Sequence, residues 1–330
     1  MKIQAAYKTV LLCVFLLATV GVFAGDDPDT EKTKTYTKTY SLQPGDGVSV
    51  TNQFGDVRIS TWNKNEVKVD VTISARSSSE ERAQEILDNI EIEAGKSPGG
   101  VWFKTEMANK GVKGKSNNQY KNEGFSIHYT VSMPSANALK IQNSFGSTYV
   151  PDMNGEADIT SKFGSLEAGN LPKVKSILVE FGSAEIKSIH DGKLVIKFSS
   201  AVVHKLTGSV NAVLEHSNSV KMGVDNSISD LNVKNNFSTL YLDVSKNLGA
   251  RFEIQTHFGD FSNQSSFAIN QENEDSEQRG PRFDHKYSGS NGNGQVKMKI
   301  RSEFGKVIVG HNLPMNLEKK EKDRKQTRTV

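Results

Sequence analysis

One short phrase recurs along this chain and limits the folds open to it more than any other feature. It appears as "ILVEFGSAEI" around Phe181, and aligning on the aromatic gives nine copies, centred on Phe54, Phe145, Phe163, Phe181, Phe198, His216, Phe237, Phe258 and Phe304, with Gly next in six of them. Between Phe145 and Phe258 the copies lie 17 to 21 residues apart. A period of that length belongs to solenoids and related stacked arrays.

Each copy carries a pattern. Apolar residues stand four and often six positions before the aromatic, as Val48 and Val50 before Phe54 or Met298 and Ile300 before Phe304. That is strand alternation, and it puts the phenylalanine on the inner face. After the aromatic the apolar positions move to three and five residues on, as Val57 and Ile59 or Ala184 and Ile186. The parity has flipped, which needs a corner, and the neighbouring glycine is where a backbone bends without a side-chain penalty. A second bend is expected at Asn154-Gly155, Asp191-Gly192, Thr207-Gly208 and Asp225-Asn226, all turn-prone pairs. Two strands and two bends make one coil, and coils stacked at roughly 4.8 Å predict an all-β solenoid with coils of about 18–21 residues and an internal phenylalanine ladder. A two-sheet sandwich is the competing arrangement.

Two outward rows follow from the same register. The residue just before the aromatic reads Lys162, Glu180, Lys197, Glu215 in four consecutive copies, so stacked coils would set each charge beside its opposite. Three positions before the aromatic the side chain is polar in the outer copies but is Leu178, Val195 and Val213 in the central ones. This apolar stripe is the candidate binding dock, because strands apolar on both faces are normally covered on both.

Residues 1–24 read as a secretory signal peptide: Lys2 and Lys8, an apolar run from Val10 to about Val22, then Ala24 before "GDDPDT". The run is shorter than the roughly 20 apolar residues a span needs, so no transmembrane segment is expected after cleavage. Cys13 is the only cysteine, which leaves the exported chain without disulfides or thiolate chemistry. Lys+Arg of 41 against Asp+Glu of 38 gives no field that would draw nucleic acid.

Residues 25–144 hold the first coil and an excursion with one helix near 79–92, where Ser78 and Glu81 form a capping box and Ala83, Ile86, Leu87 and Ile90 a single stripe. The excursion is either a cap on the first coil or a side subdomain, and its helix is the economical cover for the apolar dock, a second protein or protomer being the alternative cover. Residues 145–312 hold the remaining coils with a polar insertion at 262–294, and 313–330 read as a basic flexible tail.

No catalytic, cofactor or metal site is recognisable: the seven histidines have no ligand spacing, and neither a nucleophile elbow nor a phosphate loop is present. His190 beside Asp191 reads as a surface turn whose side chains point apart. His216, in a phenylalanine slot, reads as a hydrogen-bonded core substitution.

The stretch "VTNQFGDVRISTWNKNEVKVDVTISARSSSEERAQEILDNIEIE", the FG-marked coils and the closing "YSGSNGNGQVKMKIRSEFGKVIV" resemble the bacterial putative-adhesin families of envelope proteins, including the auto-transporter adhesin head GIN domain. The resemblance implies a right-handed parallel β-helix in the envelope. The expected function is a non-catalytic scaffold, periplasmic, outer-membrane-associated or extracellular, binding an envelope protein or polysaccharide. A polysaccharide-active β-helix enzyme and a periplasmic component of an envelope-stress pathway are the alternatives. N-terminal sequencing of the exported protein should return Gly25 as its first residue; an intact Met1 would refute the leader assignment.

Overall fold

The computed structural model describes residues 30–108, 123–272 and 283–317; the expected leader and most of the expected tail lie outside them. The described residues form an all-β protein with one short helix, and their strands belong to a single 22-stranded mixed sheet. The repeat generates its parallel part. Ala138–Ser144 pairs in parallel with Ala157–Lys162, that strand with Val174–Glu180, and the ladder continues through Ser183–Lys197, Ser200–Glu215 and Ser219–Asn236. Equivalent positions of successive copies are partners: Ile159 pairs with Ile177, and Ile177 with Leu194. All three are buried in one continuous core.

Among the copies of the repeat, spatial order departs from sequence order at one place. Val296–Glu303 lies between Ser219–Asn236 and Ala250–His257, parallel to both, and Lys306–Gly310 likewise separates Thr239–Val244 from Asp260–Gln264. The last copy in sequence is therefore the last but one in space.

Antiparallel strands close both ends, so a uniformly parallel β-helix does not describe the whole sheet. At the N-terminal end Gly100–Met107 and Gly124–Met133 continue the parallel ladder on Gly47–Gln53 and Val57–Thr61. They then pair antiparallel with Ile90–Ser97 and with Glu66–Ser77, which carries Thr30–Ser41. At the other end Asp284–Ser290 and Ile269–Gln271 close over Ala250–His257. Both interruptions of the repeat thus cover strand edges that would otherwise be open to pairing. The helix, Glu80–Asp88, is capped by Ser79 rather than Ser78, the Ser79 hydroxyl accepting the Arg82 N–H. It packs against Thr30–Ser41, Glu66–Ser77 and Ile90–Ser97, and so belongs to the N-terminal closure rather than to the apolar stripe.

The corners overturn the expected internal ladder. All nine aromatics of the repeat have positive φ, from 49° to 64°. Alternation would carry Phe181 inward after Ile177 and Val179, but the left-handed conformation ends the strand at Glu180 and turns the ring out. The bend therefore sits on the aromatic itself. The following glycine has a different duty, allowing stacked backbones to approach: a Cβ on Gly164 or Gly182 would collide with the carbonyl oxygen of Gly146 or Gly164. Where serine replaces glycine, a buried hydroxyl does the joining. Ser199, Ser217 and Ser238 each accept the N–H of the preceding corner, from Gly182, Ser199 and Ser217 at 3.0, 3.4 and 2.8 Å.

The second bends fall at expected positions, with Asp191 at φ 57° and Gly208 at φ 65°. Gly182→Ala should cost about 3 kcal/mol through overpacking against fixed backbone, whereas Ser183→Ala, one residue on and half-buried, should stay within about 1 kcal/mol; urea titration of both variants measures the contrast.

Candidate binding surface

The outward corners build the most unusual surface of the molecule. Strand pairing sets the rings one above the next in the order Phe54, Phe145, Phe163, Phe181, Phe198, His216, Phe237, Phe304, Phe258, at 4.7–5.1 Å between centroids and within 2–8° of parallel. This spacing is that of adjacent strands. The backbone spacing sets the distance between the rings, and it falls within the range of favourable parallel aromatic contacts. Phe125 lies edge-on against Phe54, and Phe283 stacks on Phe258 at 4.3 Å. The phenylalanines from Phe145 onward remain 45–51% exposed. His216 is exposed too, its ring held between Phe198 and Phe237, and is not the core substitution expected of it.

Polar rows flank the rings. On one side run Lys162, Glu180, Lys197 and Glu215 in direct register, with ion pairs of 2.9 Å for Lys162–Glu180 and 2.8 Å for Lys197–Glu215. Glu215 holds the Lys197 ammonium above the ordinary lysine range, first by hydrogen bonding and then by charge. On the other side Ser147, Ser165, Ser183 and Ser200 form a hydroxyl row, Ser165 donating to Ser147 at 2.8 Å. Further along the charged face Leu178, Val195 and Val213 are cross-strand partners, as the register requires. Leu178 and Val213 are half-buried and Val195 is 9% exposed.

Beyond the hydroxyl row, a shallow groove is lined by Arg58, Tyr149, Asp152, Glu167, Glu185 and His204. Glu167 and Glu185 are register partners on adjacent strands, four residues after Phe163 and Phe181, so acidic side chains recur over neighbouring copies of the repeat. His204 Nε2 lies 3.1 Å from Glu185 Oε1, and the Arg58 guanidinium lies 4.0 Å from the Tyr149 ring centre. A general acid needs a carboxyl pushed upward; the Asp152 carboxyl is instead held below its usual range by the backbone N–H and side-chain amide of Asn170. His190 and Asp191, expected to diverge, meet at 3.3 Å on an exposed turn. Among the described residues no group of three or more His, Cys, Asp or Glu is placed to hold a metal ion, and no helix is long and apolar enough to cross a membrane.

The expected tail begins within the described region. His311 Nδ1 lies 2.6 Å from the Val244 carbonyl oxygen, the Leu313 N–H donates to Asp243, and Lys221 donates to the Asn316 carbonyl. Residues 313–316 thus lie back over the sheet and are not a free tail.

No family model matches the chain, and no curated protein does. Solved structures do. A putative cell adhesion protein from Clostridium sporogenes is similar over 85% of this chain and 100% of its own, at 14% identity and a TM-score of 0.23. A putative adhesin from Bacteroides fragilis is similar over 84% and 97%, at 11% identity and 0.29. A putative lipid binding protein from Parabacteroides distasonis is similar over 83% and 96%, at 10% identity and 0.30.

Half-exposure changes what a ladder substitution costs. Phe181→Ala loses two stacked faces and part of a buried ring, about 2 kcal/mol, and keeps a left-handed corner that alanine dislikes. Phe181→Gly loses the same contacts but relieves the corner by about 1 kcal/mol. Glycine should therefore be the milder substitution in denaturant titration; the reverse order would mean that the corner is not strained.

Proposed function

We propose that this chain is a non-catalytic binding protein exported to the bacterial envelope, its repeat forming a right-handed parallel β-helix that exists to display the aromatic ladder. The observation that carries this reading is the ladder's exposure. At 45–51% exposure each phenylalanine leaves on the order of 100 Å² of apolar surface in water. Seven such rings along the ladder exceed the roughly 300–600 Å² of the largest apolar patch on a typical monomer, and patches of that size mark interaction sites. Because the rings spend their faces on one another, the row offers C–H edges. That suits an apolar or amphipathic partner better than a sugar laid flat on an aromatic face.

The groove with Glu167 and Glu185 supports the second reading, a polysaccharide-active enzyme, since carboxyl pairs carry glycoside hydrolysis. One experiment separates them: titrating the full chain with anilinonaphthalene sulfonate, and incubating it with envelope polysaccharides. Dye binding lost at least tenfold in Phe163→Ser/Phe181→Ser/Phe198→Ser, with the far-ultraviolet spectrum kept and no glycan cleaved, supports the binding protein. Cleavage abolished by Glu185→Gln overturns it.

A further inference from the structure

Resting on that reading of the ladder as the recognition surface, we propose that its partner is a second copy of the same chain, packed antiparallel about a two-fold axis that crosses the ladder between Phe181 and Phe198. The axis lies in the plane of the contact and perpendicular to the ladder. This operation brings two ladders face to face, reverses their direction and keeps each flank opposite its own counterpart.

The charges fit this operation on both flanks. On the first, the row Lys162, Glu180, Lys197, Glu215 reversed upon itself sets Lys162 against Glu215 of the second copy and Glu180 against Lys197. Beyond them Ser144 meets Asn236, both uncharged. On the second flank the hydroxyl row meets itself, Ser183 against Ser200 and Ser147 against Thr239. At its end Asp56, beside Phe54, falls opposite Lys306, beside Phe304, because the ladder runs from Phe237 to Phe304. That last match depends on the spatial rather than the sequence order of the copies. It is independent of the first flank.

Registers half a coil away are penalised. A shift that puts the axis on the Glu180 coil sets Glu180 on Glu180 and Lys162 on Lys197; a shift to the Lys197 coil sets Lys197 on Lys197 and Glu180 on Glu215. Like charges directly opposed are how interfaces reject misalignment. Parallel ladders would set the charged flank against the hydroxyl flank and leave the charge order unread. The area also suits the assignment: seven half-exposed phenylalanines supply on the order of 700 Å², close to what each partner contributes to a standard-sized stable interface. The stripe of Leu178, Val195 and Val213 lies beyond the charged row, and the same axis sets Leu178 opposite Val195 at the margin of the contact.

Sedimentation of the full chain over a range of concentrations tests the proposal. The wild-type chain should be a dimer, and Phe181→Ser/Phe198→Ser should weaken self-association at least tenfold. Two charge-row variants test the pairing itself: Glu180→Lys/Glu215→Lys, whose row is all basic, and Lys162→Glu/Lys197→Glu, whose row is all acidic. Each should be monomeric alone, and an equimolar mixture should form a one-to-one dimer. A wild-type chain that stays monomeric overturns the proposal, as do charge-row variants that dimerise alone as well as the wild type or fail to associate when mixed. A monomer whose dye binding still depends on Phe163, Phe181 and Phe198 overturns the dimer and leaves the binding surface standing. If dye binding is also indifferent to those residues, both readings fall.

Discussion

Everything repetitive in this protein depends on a bulky residue held in the left-handed region. A phenylalanine at φ near 50° is strained by about 1–3 kcal/mol, and the structure holds nine such aromatic corners in register. What makes each tolerable is the coil beside it. The corner N–H donates to the carbonyl of the residue before the next aromatic, as Phe163 to Glu180 and Phe181 to Lys197, and its ring lies against the next ring at strand spacing. A single coil would carry the strain without either contact. The corner is thus a device that only strands paired side by side can support.

Around that corner the interior changes character along the stack. Two residues before the aromatic, the inward position holds Asn52, Asn143 and Asn235 in outer coils and Val179, Ile196 and Leu214 in the central ones, all buried. The asparagines bind corner carbonyls: Asn52 donates to Gly55 and Ile127, Asn143 to Gly146 and Ser147, and Asn235 to Ser238. Satisfying carbonyls at the corner with a buried amide fixes the turn, while the apolar centre gives the core its continuous burial. Where the position is Ser161 or Thr256, the buried hydroxyl has no hydrogen-bond partner among the described residues.

The rows were legible in the sequence because period two and the repeat length together fix which residues become neighbours. Lys162, Glu180, Lys197 and Glu215 stand in register, as do Leu178, Val195 and Val213. Where the ring points was not legible. Alternation assigns a side chain to a face only while the backbone stays extended, and nothing in the letters around Phe181 announces a positive φ. The glycine after it is a genuine signal, but of backbone crowding rather than of the bend. The excursion's helix was read correctly in kind and wrongly in place, since a stripe of Ala83, Ile86 and Leu87 says that something covers it and not what. The proposed binding surface was therefore present in the sequence as a row, with its inside and outside exchanged.

The displaced last copy has a consequence for how the chain must assemble. Successive copies can add one by one to a growing edge only while sequence neighbours are spatial neighbours, and that holds from Ala138 to Asn236. The segment Ala250–Gln264 is made next, yet its place in the sheet does not exist until Val296–Gly310 has settled against Ser219–Asn236 and Thr239–Val244. A chain emerging from its N-terminus must therefore hold one finished coil in waiting and close the stack retroactively, with its final strands as the wedge. Zipper-like growth gives way there to a single long-range closure, the slow kind of step, and the molecule stays an open edge until nearly its last described residue has arrived.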